Sequence, residues 1–396
     1  MMNQSPAPTQ SDERIVSLDL LRGISILGIL LVNIFDFKAP MAQTMTIVQS
    51  MPGTISYWCE ALIAIFIEGS FYPLFSFLFG TGAILFYERI RAKGLSFGAF
   101  YTRRLLVLTA IGILHAVFVW SGDILFTYGI LGFLLFFFLK RKKSVLLIWA
   151  VCLYCIPYGI LSLLMLLMLL VPAEEMQDLL DAPDQTAAIL QHGSFGDITA
   201  FRFSEWLTEN AAVLPLSACI IVPCFLIGIY AYKRGWFEKE ISAGVKSELL
   251  VLMWCSLAAG LMLKLTPVWF GWNMTWIYIQ QMAGGPILAL GYASGFLLLW
   301  NKKRQAGSVL RMFSYVGRLS LTQYLFQTIF LSLFFYGYGL GFYGMFSSAE
   351  MLGIALIFYA CQLVFSRLWV KRFRYGPFEY VWRKLTYWRL PAFRRE

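Results

Sequence analysis

The chain has 396 residues, of which 59% are hydrophobic and only 14% are charged, and its formal net charge is +10 at pH 7. Soluble globular domains carry about 25% charged residues, so this composition excludes an ordinary soluble fold. The basic residues lie in short loops between apolar runs, which argues against a nucleic-acid-binding domain and is typical of a polytopic membrane protein obeying the positive-inside rule.

Apolar runs long enough to cross a bilayer recur along the whole chain. We predict an all-α fold, a bundle of about ten transmembrane helices in the bacterial cytoplasmic membrane, with both termini in the cytoplasm. The predicted spans are 17–37, 66–87, 104–121, 123–140, 144–171, 206–232, 247–265, 275–300, 312–336 and 346–366. In this prediction residues 1–366 form one transmembrane domain, and residues 367–396 form a basic cytoplasmic tail that contacts anionic lipid head groups.

The predicted topology assigns nearly all basic residues to the cytoplasmic side of the membrane. Of the 32 basic residues, only Lys38, Arg202 and Lys264 are predicted to face outward. The one long outer loop, about residues 172–205, is strongly acidic. It is interpreted either as a solvated flap or as a lid over an outward-facing cavity.

A histidine and several polar residues are predicted near the outer ends of the first four spans. His115, one of two histidines in the chain, lies shortly before a tight turn, and Asp123 follows that turn. Asn33 and Glu68 are expected at the same level. Ionisable groups at membrane depth are functional candidates, so His115 is predicted as a general base, Asp123 as its orienter and Asn33 as a hydrogen-bond partner of a carbonyl oxygen. Glu68 and Trp120 are predicted to contact substrate. The alternative is a hydrogen-bonded packing network between helices.

A second cluster is predicted at the cytoplasmic ends of three spans. Asp19 and Arg22 open the first span, Arg103 and Arg104 open the third, and Arg318 lies near the start of the ninth. Guanidinium groups bind phosphate through a planar fork of donors, so these residues are predicted to bind a phosphorylated substrate. The alternative is snorkelling of the arginines to the interface, with Asp19 and Arg22 as an i, i+3 ion pair.

Other kinds of site find no support in the pattern. The sequence contains no Gly-rich nucleotide loop, no set of residues spaced as metal ligands and no serine nucleophile elbow. No metal is therefore predicted. The seven cysteines lie mostly inside apolar runs and are interpreted as small buried hydrophobes.

Several motifs together resemble the YeiB-like family of bacterial multi-pass proteins, domain of unknown function 418. The motifs are 17–23 (SLDLLRG), 28–33 (GILLVN), 75–80 (FSFLFG), 103–105 (RRL), 112–115 with 122–125 (GILH and GDIL), 317–322 (GRLSLT) and 375–383 (YGPFEYVWR). A more distant similarity links the Leu-Arg-Gly opening of the first span to transmembrane acyltransferases. The bacterial O-acyltransferases carry an arginine, ten residues and then a histidine, whereas here the interval after Arg22 ends on Asn33. The resemblance therefore implies a membrane scaffold like that of the acyltransferases, and a residue other than the histidine of that motif must act as the base.

These observations predict an integral-membrane acyltransferase that moves an acyl group from cytoplasmic acyl-CoA to an extracytoplasmic hydroxyl or amine acceptor. Arg22 and Arg318, with Arg103 or Arg104, would bind the donor. The expected partners are membrane lipids, a small-molecule, lipid or glycan acceptor, and a second copy of the chain in a homodimer, with no nucleic acid. A transporter or a lipid- or quinone-binding protein is the alternative, and a structural membrane protein is a third interpretation.

Overall fold

The computed structural model describes residues 15–39, 47–170, 186–303, 307–388 and 393–394. These residues form helices joined by short turns and contain no β-strand, which confirms the all-α prediction. The part of the predicted acidic loop at residues 171–185 lies outside the described residues. The helices, numbered in chain order, are α1 (Val16–Asn33), α2 (Ile55–Phe66), α3 (Phe71–Ala92), α4 (Phe97–Phe118), α5 (Leu125–Phe138), α6 (Lys143–Leu167), α7 (Thr186–His192), α8 (Phe195–Arg234), α9 (Ala243–Lys264), α10 (Thr266–Phe270), α11 (Met274–Tyr278), α12 (Gly285–Lys303), α13 (Ser308–Arg318), α14 (Ser320–Phe335), α15 (Ser348–Arg372) and α16 (Pro377–Tyr387).

The helices have the lengths and surfaces of a polytopic membrane protein. Within the described ranges, eight helical stretches are long and apolar enough to cross a membrane, and α5 and α14 are shorter apolar helices. Each of the ten predicted spans overlaps one of these stretches. Large apolar side chains such as Ile148, Val151 and Leu163 on α6 are exposed. An exposed apolar face of this extent matches a lipid environment.

A close helical hairpin brings the end of α4 against the start of α5. A methyl group added at Gly112 would lie 2.2 Å from the backbone nitrogen of Phe126, and one added at Gly129 would lie 2.2 Å from Thr109 Oγ1. Only glycine allows this separation of the two backbones. The hairpin places His115 opposite Asp123.

A second close contact joins α1 to α13. A Cβ at Gly317 would lie 1.7 Å from the backbone oxygen of Asp19, and a Cβ at Gly23 would lie 2.1 Å from the backbone oxygen of Phe313. The two backbones therefore touch at these glycines. Because Arg22 and Arg318 are the immediate neighbours of the two glycines in sequence, the contact brings both arginines to one place.

The C-terminal segment differs from the predicted tail. The boundary predicted at residue 366 falls inside α15, which ends at Arg372. The chain then reverses, and α16 packs on α4, where Trp382 Nε1 donates a hydrogen bond of 2.8 Å to the backbone oxygen of Arg104. Thr386, on the same helix, is buried. The predicted cytoplasmic tail thus contributes a packed helix to the bundle.

The three basic residues predicted to face outward do not extend into solvent. Arg202 and Lys264 are buried, and Lys38 is partly buried. Each donates a hydrogen bond to an oxygen of the protein. Lys38 Nζ donates to Glu60 Oε1 at 2.8 Å, and Lys264 Nζ donates to the backbone oxygen of Glu68 at 2.7 Å. Arg202 Nη2 donates to Tyr338 Oη at 2.9 Å. Their long side chains turn back into the bundle. The side of the membrane on which the three residues lie stays a prediction.

Candidate functional site

Four arginines surround one cavity at the end of the bundle where α1 begins. The basic cavity, as we name it, is lined by Arg22, Arg104, Arg318 and Arg383 and encloses about 1060 Å³ of space including its opening. Gly82 on α3 leaves room for the first of these, since a Cβ there would lie 3.2 Å from Arg22 Nη2. The structure therefore brings together three arginines that the sequence singled out and a fourth from α16.

Two further residues predicted for this cluster lie elsewhere. Arg103 is exposed, packs against the rings of Phe100 and Trp388, and does not line the basic cavity. Asp19 is buried and does not line the cavity either, but its Oδ1 accepts from Arg22 Nη1 at 3.4 Å. Asp19 thus restricts the position of Arg22, whereas the predicted substrate contact of Arg103 has no support from its location.

The basic cavity changes character along its length. Away from the arginines its wall is mostly apolar and includes Ile26, Phe79 and Leu108, and Ile124 and Tyr324 also line it. A ligand that matches both parts has an anionic head and an apolar chain. Phosphate-bearing amphiphiles have this shape, and arginine is the side chain best suited to the head.

Glu379 stands at the edge of the basic cavity and closes the N-terminus of α14. Its Oε1 accepts from the backbone N–H groups of Leu321 and Thr322 at 2.8 and 3.0 Å, and its Oε2 accepts from Thr322 Oγ1 at 2.5 Å. These are among the donors that the start of a helix leaves without a partner. Burial raises the pKa of the Glu379 carboxyl, and the hydrogen bonds from Thr322 and the backbone oppose that rise. A residue from the predicted tail therefore caps a helix of the bundle.

Two more cavities lie beyond the inner end of the basic cavity. The Asn33 cavity, about 580 Å³ with its opening, is lined by Asn33, Gly69 and Gly122 among others. The Asp123 cavity, about 980 Å³ with its opening, is lined by Gly122, Asp123 and other residues. Ile124 lines all three cavities. The turn between α4 and α5 thus borders all three spaces.

His115 and Asp123 form the pair that the sequence predicts, inside the bundle. His115 Nδ1 lies 2.8 Å from Asp123 Oδ1, and the other carboxylate oxygen accepts from the Phe126 backbone at 2.7 Å. His115 Nε2 lies 2.7 Å from Thr328 Oγ1, which is also 3.1 Å from the carbonyl oxygen of Leu325. With Asp123 ionised, a Thr328 hydroxyl that donates to Leu325 requires a proton on both ring nitrogens of His115, whereas a Thr328 hydroxyl that donates to Nε2 requires a neutral His115.

The two residues of the pair differ in their position relative to the cavities. Asp123 contributes to the lining of the cavity named after it, whereas His115 lines none of the three cavities; the side chains of both are buried, 0% exposed for Asp123 and 2% exposed for His115. A general base must reach the proton that it removes. Asp123 is the member of the pair that borders a cavity, and neither side chain is exposed in the structure.

The remaining predicted residues are distributed around this region. Asn33 lines a cavity beside the turn, as its predicted role requires. Trp120 is buried against Phe37, with 6.5 Å between ring centroids, and lines none of the three cavities. The Glu68 side chain accepts from Gln281 Nε2 at 2.8 Å and also lies outside the three cavities. Substrate contact by Trp120 and Glu68 stays a prediction.

Several residues that line the basic cavity or contact His115 were not singled out from the sequence. Trp382 and Arg383 belong to a motif that contributed to the family resemblance, but their basic, amphipathic surroundings favoured a tail. Thr328 and Tyr324 lie in an apolar run, and no local pattern marks either of them. Their roles depend on which helices become neighbours.

Comparison with known proteins gives consistent matches along the chain. Residues 231–389 match the family described as "Protein of unknown function (DUF418)". The chain is similar to "Uncharacterized protein YxaH" of Bacillus subtilis (strain 168), with 35% identity over 96% of each chain. It is also similar to "Uncharacterized protein YeiB" of Escherichia coli (strain K12), with 30% identity over 94% of this chain and 96% of the other. No solved structure matches it.

Proposed function

Since the chain belongs to the YeiB-like DUF418 family, we propose that this multi-pass membrane protein is an acyltransferase that takes its acyl group from acyl-CoA on the cytoplasmic side of the bacterial cytoplasmic membrane. One observation carries the proposal: the arginine-lined cavity and the cavity lined by Asp123 share the lining residue Ile124, in the turn between α4 and α5. A donor can thus approach from one side of the turn and an acceptor from the other.

The basic cavity supplies the donor site. Arg22, Arg104, Arg318 and Arg383 provide fork-shaped donors for the phosphate groups of CoA. The apolar wall beyond them accommodates the acyl chain, which then points toward the turn between α4 and α5. The contact between α1 and α13 fixes the spacing of Arg22 and Arg318, so this part of the site is preorganised.

The Asp123 cavity supplies the acceptor site. With the Thr328 hydroxyl donating to His115 Nε2, His115 is neutral and Asp123 accepts the proton of an acceptor hydroxyl or amine. The acceptor oxygen or nitrogen forms a bond to the acyl carbon, and the carbon–sulfur bond of the thioester breaks. The thiolate of CoA takes up one proton, so the products are an ester or amide and free CoA. His115 positions the Asp123 carboxylate in this scheme, and Asn33 is a donor for the carbonyl oxygen.

The donor site is tested by binding of CoA and palmitoyl-CoA to the purified protein in nanodiscs. Loss of a charge-assisted hydrogen bond is worth about 1.5–3 kcal/mol, or roughly 10- to 100-fold in Kd, so Arg22→Ala and Arg104→Ala should weaken binding by that factor. Arg103→Ala is the matched control, because this arginine is adjacent in sequence but faces away from the cavity. Equal losses of affinity in Arg103→Ala and Arg104→Ala would contradict the assignment of the donor site to the basic cavity.

The transfer step is tested by release of free CoA thiol in proteoliposomes given acetyl- or palmitoyl-CoA, with glycerol or ethanolamine as acceptor. Asp123→Asn should abolish acceptor-dependent release while CoA binding stays within twofold. Full activity of Asp123→Asn would exclude Asp123 as the base.

A second function is favoured by the apolar wall of the basic cavity. That wall with arginines at one end also fits an anionic lipid that remains bound without reaction. Native mass spectrometry distinguishes the two: a retained phospholipid that acyl-CoA does not displace, and that Arg22→Ala releases, would favour a lipid-binding protein.

A further inference from the structure

A buried lysine and a buried glutamate lie outside the proposed donor and acceptor sites. Lys264, the last residue of α9, is 0% exposed, and Glu68, in the turn between α2 and α3, is 4% exposed. Neither lines any of the three cavities. Ionisable side chains inside a membrane bundle are costly and are functional candidates for that reason.

The two groups face each other without forming a closed ion pair. Lys264 Nζ donates to the backbone oxygen of Glu68 at 2.7 Å, and no contact within 4.0 Å joins the ammonium to the carboxylate among the ion pairs of the described residues. Glu68 Oε1 accepts from Gln281 Nε2 at 2.8 Å, and Gln280 Nε2 donates to the Lys264 backbone at 2.9 Å. Glu68 Oε2 and Gln280 Oε1 are buried and have no protein partner. Two acceptors thus remain open beside a donor with hydrogens to spare.

The backbone around the pair is unusual as well. Residues Ile279–Gly284 form a π-helix, whose wider turn carries both glutamines, and such segments occur frequently at functional sites. Gly69 has φ +69°, and a Cβ at Gly285 would lie 2.2 Å from the backbone oxygen of Gly69. The turn that holds Glu68 is therefore pressed directly against the end of the π-helix.

A comparison with Glu60 shows what a structural buried carboxylate looks like in this protein. Glu60 accepts from Lys38 Nζ, from the Ser348 hydroxyl, and from the backbone N–H groups of Gln49 and Ser50, so both its oxygens are used. Buried charges are tolerated when they are paired and hydrogen-bonded in this way. Glu68 lacks that arrangement, because one of its oxygens is left without a protein donor.

We infer that Glu68 and Lys264 form a buried proton-exchange site in which the Glu68 carboxylate takes up a proton delivered through water. A water molecule that accepts from Lys264 Nζ and donates to Glu68 Oε2 and Gln280 Oε1 would satisfy all three groups. Lys264 on α9 is the charged group that acts on Glu68, and the neighbouring π-helix presents only amides. Gly69, next to Glu68, lines the Asn33 cavity, which places a water-sized space one residue from the carboxylate.

The inference does not depend on acyl transfer. It does address a need that transfer across a membrane creates, because the acceptor loses a proton on one side and the thiolate gains one on the other. A site that exchanges protons inside the bundle would also serve a proton-coupled transporter.

The test is difference infrared spectroscopy of the full chain reconstituted in liposomes, titrated over pH in K⁺ buffers. The wild type should show a C=O band of a protonated carboxylic acid that responds to pH. Glu68→Gln should lose that band, and Lys264→Met should shift its pH dependence. Glu60→Gln is the matched control and should retain the band unchanged.

Three outcomes would overturn the inference. The first is that no pH-dependent band disappears in Glu68→Gln, and the second is that the same band disappears in Glu60→Gln. The third is that Na⁺ abolishes the band, which would make the ligand a metal cation. Should Glu68→Gln fail to fold, Gln281→Leu keeps the carboxyl and removes its one side-chain donor. That variant should shift the band in frequency, and an unshifted band would assign the signal to another carboxyl group.

Discussion

His115 is expected to act through the position and charge of Asp123, and the substitution His115→Phe tests this expectation. In that variant the buried Asp123 carboxylate keeps only the backbone N–H of Phe126 as a partner. Because His115 is neutral in the proposed scheme, its removal costs the buried carboxylate one charge-assisted hydrogen bond, typically about 1.5–3 kcal/mol. We therefore expect His115→Phe to lower the free energy of unfolding by that amount, whereas His115→Phe with Asp123→Leu should recover most of it.

The measurement is denaturant and thermal unfolding in detergent micelles, followed by tryptophan fluorescence, alongside CoA-thiol release. The other histidine supplies a matched control, since His192→Phe on α7 lies far along the chain from the pair and should leave stability within about 0.5 kcal/mol, as is usual for sites away from buried networks. A His115→Phe protein with wild-type stability and no transfer activity would refute the reasoning. It would instead make His115 the base itself, reached by opening its contact with Thr328.

Three further predictions concern the basic cavity. Gly317→Ala would place a methyl group 1.7 Å from the Asp19 backbone oxygen, so it should cost about 1–3 kcal/mol by overpacking and weaken CoA binding, as titration against the wild type would show. Arg383→Ala should weaken CoA binding about tenfold, as expected for one charge-assisted hydrogen bond, whereas the exposed Lys384→Ala on the same helix should not. Glu379→Gln should cost about 1–3 kcal/mol because Thr322 Oγ1 loses an acceptor. Burial raises the pKa of Glu379, so the folded protein holds its proton more tightly than the unfolded chain, and wild-type stability should fall as pH rises from the ordinary glutamate pKa through the raised one. Unfolding measured across that range should show a flatter pH profile in Glu379→Gln, and an unchanged profile would contradict the assignment.

The spans were predictable because hydropathy is a local property of the sequence. A run of apolar residues must become a helix in a bilayer, where each backbone N–H needs a partner within its own segment. The proximity of His115 and Asp123 was predictable for a similar reason, since a tight turn between two apolar helices forces their adjoining ends together. Arg22, Arg104 and Arg318 shared an end of the bundle once the direction of each span was assigned.

The features that the sequence did not reveal depend on contacts between distant segments. Arg383 and Glu379 are drawn into the bundle because α16 docks on α4 and the start of α14, and nothing within residues 367–396 specifies that surface. The burial of Lys264 depends on a π-helix sixteen residues further along, at Gln280. Likewise, the second nitrogen of His115 is occupied by Thr328, which lies more than two hundred residues away in sequence.

Ile124 is the one aliphatic side chain shared by all three cavities, and this has a consequence for permeability. Ile124 is the one lining residue shared by the arginine-lined cavity and the Asp123 cavity, and Ile29 and Tyr324 join it between the arginine-lined cavity and the Asn33 cavity, so we expect a few side chains around this turn to limit leakage of ions and small solutes. A larger residue at position 124 would therefore reduce leakage but also the size of a molecule that can pass, and a smaller residue would increase both.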